Sequence, residues 1–169
     1  MKVKTLLISF FISACLFQST AIASQNTENT LPPDPGELGK LTIEGIDSDS
    51  DGVRDDLQRY IAIKYQSSEK LRRIMTEMAK ADQDFIKNHT DKTLVLEVVE
   101  QRNKHISCLY YIDPNTASKH LQELERLQLN TNARTLAYIK ANAMLSGMTF
   151  EAVIDAKSQC DFDPDSLKN

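Results

Sequence analysis

From residue 53 onward, hydrophobic positions recur every three or four residues, the period of a helix buried along one face. Val53, Leu57, Ile61 and Tyr65 stand four apart and predict a first helix that starts inside a run of aspartates. Ser67 or Ser68 can cap a second, whose inner face is Leu71, Ile74, Met75, Met78, Phe85 and Ile86, with Asp82 in line among them. A third follows Asp91 or Thr93 and buries Val95, Val98, Val99, Ile106 and Leu109. The β-branched density from Leu94 to Val99 also suits a strand, but the helical interval persists for about fifteen residues and decides for helix. Asp113-Pro114 stops it, and Asn115 or Thr116 opens a fourth helix with Ala117, Leu121, Leu124 and Leu127 or Gln128 inward. Thr131 caps a fifth, carrying Ala133, Leu136, Ala137, Ala143 and Met144, and Gly147 stands where a helix C-terminus wants a left-handed residue. Thr149 opens a sixth with Phe150, Val153, Ile154 and Cys160 on one side. Short connections favour antiparallel neighbours. The expected fold is all-α: a small bundle of about five to six helices over residues 53–165.

Upstream of the bundle the pattern changes twice. Residues 1–23 read as an export signal: Lys2 and Lys4 give a positive start, Leu6 to Phe17 is apolar, and Ala21 and Ala23 are the small residues a signal peptidase reads. A second reading takes Ile12-Ser13-Ala14-Cys15 as a lipobox, with a lipid on Cys15; the apolar run continuing through Leu16 and Phe17 favours soluble release instead. The expected location is periplasmic or secreted. Residues 24–44 are rich in proline, threonine and asparagine and predict a flexible leader. No later run is long and apolar enough to cross a bilayer, so no transmembrane segment is expected in the mature chain. Losing Lys2 and Lys4 takes the formal charge from −4 to −6. A mildly acidic chain without a basic cluster has no electrostatic reason to bind nucleic acid.

Residues 47–57 read D-S-D-S-D-G-V-R-D-D-L, and here residue type and spacing point to one chemistry. Asp47, Asp49 and Asp51 alternate, Gly52 permits a sharp turn, and Asp55 and Asp56 complete the set. Five carboxylates this close repel one another unless a cation sits among them, and hard oxygen ligands at this spacing suit Ca²⁺. An acidic helix N-terminus is the plainer reading, but a macrodipole asks for acid and not for alternation followed by glycine.

This stretch, residues 45–58, resembles the calcium loop of EF-hands and of the dockerin and thrombospondin type 3 repeats. The resemblance implies that Asp47, Asp49 and Asp51 are side-chain ligands, that Gly52 makes the turn, that Val53 offers its carbonyl, and that Asp55 holds the ninth position. It departs from the pattern at the twelfth position, where Gln58 replaces the bidentate glutamate, and at the eighth, where Arg54 replaces an apolar residue. Asp56 is then a candidate for the missing bidentate carboxylate. No helix signal precedes the loop, because Gly36, Gly39, Gly45 and the prolines interrupt it.

If the signal is cleaved, Cys108 and Cys160 remain as an even pair, which in an oxidising compartment is read first as a disulfide. Zinc is the sharper alternative, because His105 and Cys108 lie one turn apart and Asp161 and Asp163 follow Cys160. His105 falls on the apolar side of its helix, His89 near a helix end, and His120 on a polar face. Tyr110 and Tyr111 read as core and rim of the third helix, or as a patch for a partner. No nucleophile elbow, zinc-protease signature or phosphate loop occurs, so no catalytic residue is nominated. The functional expectation is an exported calcium-binding helical protein with a structural or protein-interaction role toward an envelope or other protein partner. The alternatives are a cell-envelope hydrolase built on carboxylates and a calcium-responsive sensor or inhibitor.

Overall fold

The computed structural model describes residues 31–150 and 155–169. Among them are five α-helices and no strand: α1 (Asp55–Lys64), α2 (Glu69–Lys87), α3 (Lys92–Ile112), α4 (Ala117–Gln128) and α5 (Asn132–Ala143). The all-helical expectation holds. The export signal, Cys15 and the leader up to residue 30 lie outside the described residues, as do residues 151–154 of the predicted sixth helix. What is described of that last segment is a single 3-10 turn at Lys157–Gln159, after which Cys160 is extended.

The helix starts follow local chemistry. The Ser68 hydroxyl accepts from the Leu71 N–H, the Asp91 carboxylate from Thr93 and Leu94, and the Thr131 hydroxyl from Arg134. At α4 the cap comes from further back: Asp113 accepts the Thr116 N–H at 3.2 Å. The first helix begins at Asp55, two residues later than its apolar stripe, and places Asp55 and Asp56 in its first turn. Val53, Leu57, Ile61 and Tyr65 are nonetheless all buried.

Helix α2 is the spine and packs mainly against α3. Along one half of its length, Ile74, Met75, Met78 and Ala79 meet the α1 stripe, Cys108, Leu109 and Leu124. Along the other half, Phe85 meets Val95, Val99 and Ala141. Asp82, the acid in line with the apolar face, is buried and bonded to Arg102 at 2.6 Å, and that guanidinium lies 4.6 Å from the centre of the Phe85 ring. A buried pair of this kind is roughly neutral for stability, but losing one partner leaves the other charged and unpaired. Cys108 and Cys160 are bonded, with Cα atoms 5.0 Å apart, which ties α3 to the C-terminal segment. Closing a loop of 52 residues is worth up to ~4 kcal/mol on the chain-entropy account.

Four expectations need correction. On α5 the buried residues are Arg134, Ala137 and Ala141, while Ala133 and Ala143 are exposed and Leu136 is 59 % exposed. The helix is rotated because Arg134 reaches back to three carbonyls near the chain's start, and those polar contacts outweigh one leucine's burial. His120 is buried, not on a polar face, because Tyr65, the residue that follows α1, closes over it. Tyr110 and Tyr111 are exposed: their hydroxyls bond Ser118 and Asp165, so solvent-side polar partners hold them out of the core. Lastly, the leader does not run free from Leu31 on. Arg59 bonds the Pro32 carbonyl at 2.8 Å, residues Gly36–Lys40 form a 3-10 helix, and Pro32 and Gly39 are buried. No helix among the described residues is long and apolar enough to cross a membrane.

Candidate metal site

The structure sorts the five aspartates into different tasks. Asp47, Asp49 and Asp55 each bring a carboxylate oxygen into a group whose members lie within 4.8 Å of one another. The turn that gathers them is built by backbone N–H groups. Asp51 and Gly52 donate to the two oxygens of Asp47 at 3.1 and 2.9 Å, and Ser48 donates to Asp55 at 2.8 Å. Gly52 has φ +90° and Ser50 has φ +59°, so the chain doubles back twice within three residues. The Asp55 N–H closes the base of the loop on the Ile46 carbonyl at 2.8 Å. Each carboxylate oxygen has two lone pairs, so an N–H on one leaves the other for a cation.

Asp51 stands beside this group and not within it. Its oxygens accept the Val53 N–H at 2.8 Å and, more distantly, the Gln58 amide at 3.4 Å. Val53 points its side chain into the core, where it is fully buried. Asp56 turns away altogether. It takes the Arg54 guanidinium in a two-pronged pair at 2.9 and 3.0 Å and stands outside the group formed by Asp47, Asp49 and Asp55.

Gln58, at the twelfth position, meets the site instead. Its Nε2 donates to Asp49 at 2.9 Å, and this bond is the leading reason the Asp49 carboxyl sits below its ordinary range. Its Oε1 is buried without a partner among the described residues. A buried amide oxygen with nothing to accept is an unmet cost. Turning the amide over would exchange its two atoms and place Oε1 against Asp49 and, more distantly, Asp51. The three carboxylates of Asp47, Asp49 and Asp55, with no imidazole or thiolate among them, fit a hard divalent ion.

Behind the loop lies a buried polar network that no sequence pattern marked. Arg54 is 1 % exposed and donates to the carbonyls of Leu127 and Gln128 and to the side chains of Gln83 and Gln128. Arg134 is fully buried and donates to the carbonyls of Gly39, Thr42 and Ile43 and to Asn130. Burial, and after it the charge of Arg54, push the Arg134 guanidinium down to about 10. Gln83 binds the carbonyls of Ile43 and Glu44. One signal was present: a cation at the start of a helix opposes the macrodipole, so Arg54 needed a reason to stand there.

The histidines form two further clusters. His120 Nδ1 meets the Tyr65 hydroxyl at 3.0 Å, and its Nε2 lies 3.0 Å from the Thr116 hydroxyl and 3.2 Å from Asp113. With both nitrogens engaged and the ring buried, this group ties α1 to α4. Beside it, burial and then Glu123 push the Tyr60 hydroxyl up to about 12. His105 is buried, and its Nε2 lies 3.0 Å from Asp161. His89 sits at the end of α2, where its Nδ1 meets the Ile86 carbonyl. No family model, no curated protein and no solved structure matches this chain.

Proposed function

We propose that this is an exported calcium-binding helical protein with a structural or protein-interaction role, in which the ion organises the junction between the leader and the bundle. The carrying observation is the convergence of Asp47, Asp49 and Asp55 within 4.8 Å, with the Gln58 amide against Asp49 at 2.9 Å. Asp51, whose carboxylate faces the same Gln58 amide as Asp49, is included in the proposed ligand set. Asp56 is not part of the proposed ligand set. With a neutral twelfth ligand and one loop, affinity falls in the weak extracellular range, on the order of 10⁻⁵–10⁻³ M. Export is supported by the disulfide, which persists in an oxidising compartment. The interaction role is supported by Leu136 and Ile139, 59 % and 55 % exposed and one turn apart on α5.

Calorimetry with calcium, repeated on Asp49→Ala, tests the binding. Heat at millimolar calcium that disappears in the variant is expected. No heat in the parent chain refutes the proposal. Hydrogen exchange with and without a chelator then reads the organising role: protection lost over residues 45–57, the first turn of α1 included, with the rest of the helices unchanged is expected.

A further inference from the structure

We infer that the groove between α1 and α2 binds a medium-chain fatty acid, its carboxylate on Arg72 and its chain along the apolar wall. Gln58, Ile61 and Ala62 line it from one face of α1, and Glu69, Arg72, Arg73 and Thr76 line it from one face of α2. The two helices pack against each other, but Ala62 and Thr76 are too short to fill the space between them, and a groove of about 490 Å³ remains. Leu31 and Leu167, from opposite ends of the described chain, complete the lining. Leu31, Ala62 and Leu167 are only partly buried, so a hydrocarbon chain laid there finishes their removal from water. The volume falls within the range of small-molecule pockets, about 300–1,000 Å³, in which apolar walls carry a few orienting polar groups.

Charge decides the head group. Arg72 donates through Nη1 to the carbonyls of Tyr65 and Gln66 at 2.9 and 2.7 Å, which fixes its guanidinium at the end of α1. Its Nε and Nη2 have no acceptor, and its charge no ion-pair partner, among the described residues. Those two nitrogens form the edge of a guanidinium that takes both oxygens of a carboxylate at once. Arg73 is already engaged: it pairs with Glu77 at 3.1 Å and lies over the Phe162 ring. Glu69 is the one carboxylate in the lining; it accepts the Lys168 N–H at 3.3 Å and stands in the first turn of α2, one turn before Arg72. It repels a second anion, and a doubly charged phosphate twice as strongly as a singly charged carboxylate. One free fork, one nearby acid and an apolar wall therefore select a monocarboxylate with a hydrocarbon tail.

Titration calorimetry tests this on the chain purified after export with its disulfide intact, using dodecanoate below its micelle concentration. A chelator is present, because calcium precipitates fatty acids; the result is then independent of the aspartate loop. Saturable binding is expected, with amide shifts by nuclear magnetic resonance centred on Ile61, Ala62, Thr76 and Leu167. Dodecanol, which has the chain without the charge, should bind at least about tenfold more weakly, and so should dodecanoate to Arg72→Met. Ala62→Trp, which fills the groove from the α1 side, should abolish binding. Circular dichroism checks that each variant keeps its helices. If Arg72→Met loses them, dodecanol and Ala62→Trp decide. The inference is overturned if dodecanoate does not bind, if the shifts centre elsewhere, or if dodecanol binds equally well. Undiminished binding by a folded Arg72→Met or Ala62→Trp overturns it too. Dodecyl phosphate binding more tightly than dodecanoate would assign the groove to a phosphate head group and overturn the carboxylate.

Discussion

Gly45, where the leader enters the aspartate loop, gives the sharpest test of how that junction is built. Its φ is +72°, and a Cβ placed there would meet Arg54 Cδ at 2.5 Å and Arg134 Nη2 at 2.7 Å. Gly147 supplies the control: its φ is +78°, and a Cβ placed there would meet nothing within 4 Å. Gly147→Ala therefore carries the left-handed strain alone, about 1–2 kcal/mol. Gly45→Ala adds the cost of pushing two buried guanidinium side chains, about 1–3 kcal/mol more, since both are pinned by carbonyls and have nowhere to retreat. For a chain of this size about 3 °C accompanies each kcal/mol. Thermal unfolding followed by circular dichroism should then show Gly147→Ala lower by about 3–6 °C and Gly45→Ala by about 6–15 °C. Equal losses at the two positions would refute the claim that the arginines clamp the junction.

Gln58→Glu should raise calcium affinity by at least about tenfold in calorimetry by supplying the twelfth carboxylate. The same variant should melt earlier than the parent in chelator, where a donor to Asp49 and Asp51 has become a like charge. Arg134→Met should leave the Gly39, Thr42 and Ile43 carbonyls without their donor, and limited proteolysis should then cut residues 36–45 much faster while α2 and α3 stay intact. Acid should loosen the start of α4. The Thr116 hydroxyl, with help from its N–H and from His120, holds the Asp113 carboxyl below the usual range. A depressed folded pKa contributes stability that is full above the unfolded value of about 4 and is lost as pH falls through the folded one. Urea midpoints measured from pH 5 downward should fall less steeply in Asp113→Asn than in the parent.

The helical fold was legible because burial on one face and capping at one end are local properties. Ser68, Asp91 and Thr131 cap α2, α3 and α5 within three residues of where they act. The α1 stripe was legible for the same reason. The rotation of α5 was not, because the partners of Arg134 lie 91 to 95 residues earlier in the chain. A pattern read in a window of one helix counts Leu136 as core and arginine as surface, and here both are reversed. His120 failed likewise, since the tyrosine that buries it is 55 residues away.

The loop shows the same division at closer range. Alternation marked Asp47 and Asp49, and the resemblance marked Asp55; these three do converge, because a tight turn is also local, while Asp51, marked on the same alternation, stands beside them. Neither could assign Asp56, whose fate depends on where Arg54 is held. That residue looked like a defect in the eighth position of a calcium loop. In the structure it is the member that crosses from the loop to α4, reaching Leu127 and Gln128 while its other edge holds Asp56. Held by that buried guanidinium, Asp56 stands apart from the group formed by Asp47, Asp49 and Asp55. Arg54 thus joins two parts of the molecule: one edge holds Asp56, and the contacts to Leu127 and Gln128 fix the base of the loop to α4, which makes the aspartates part of the bundle.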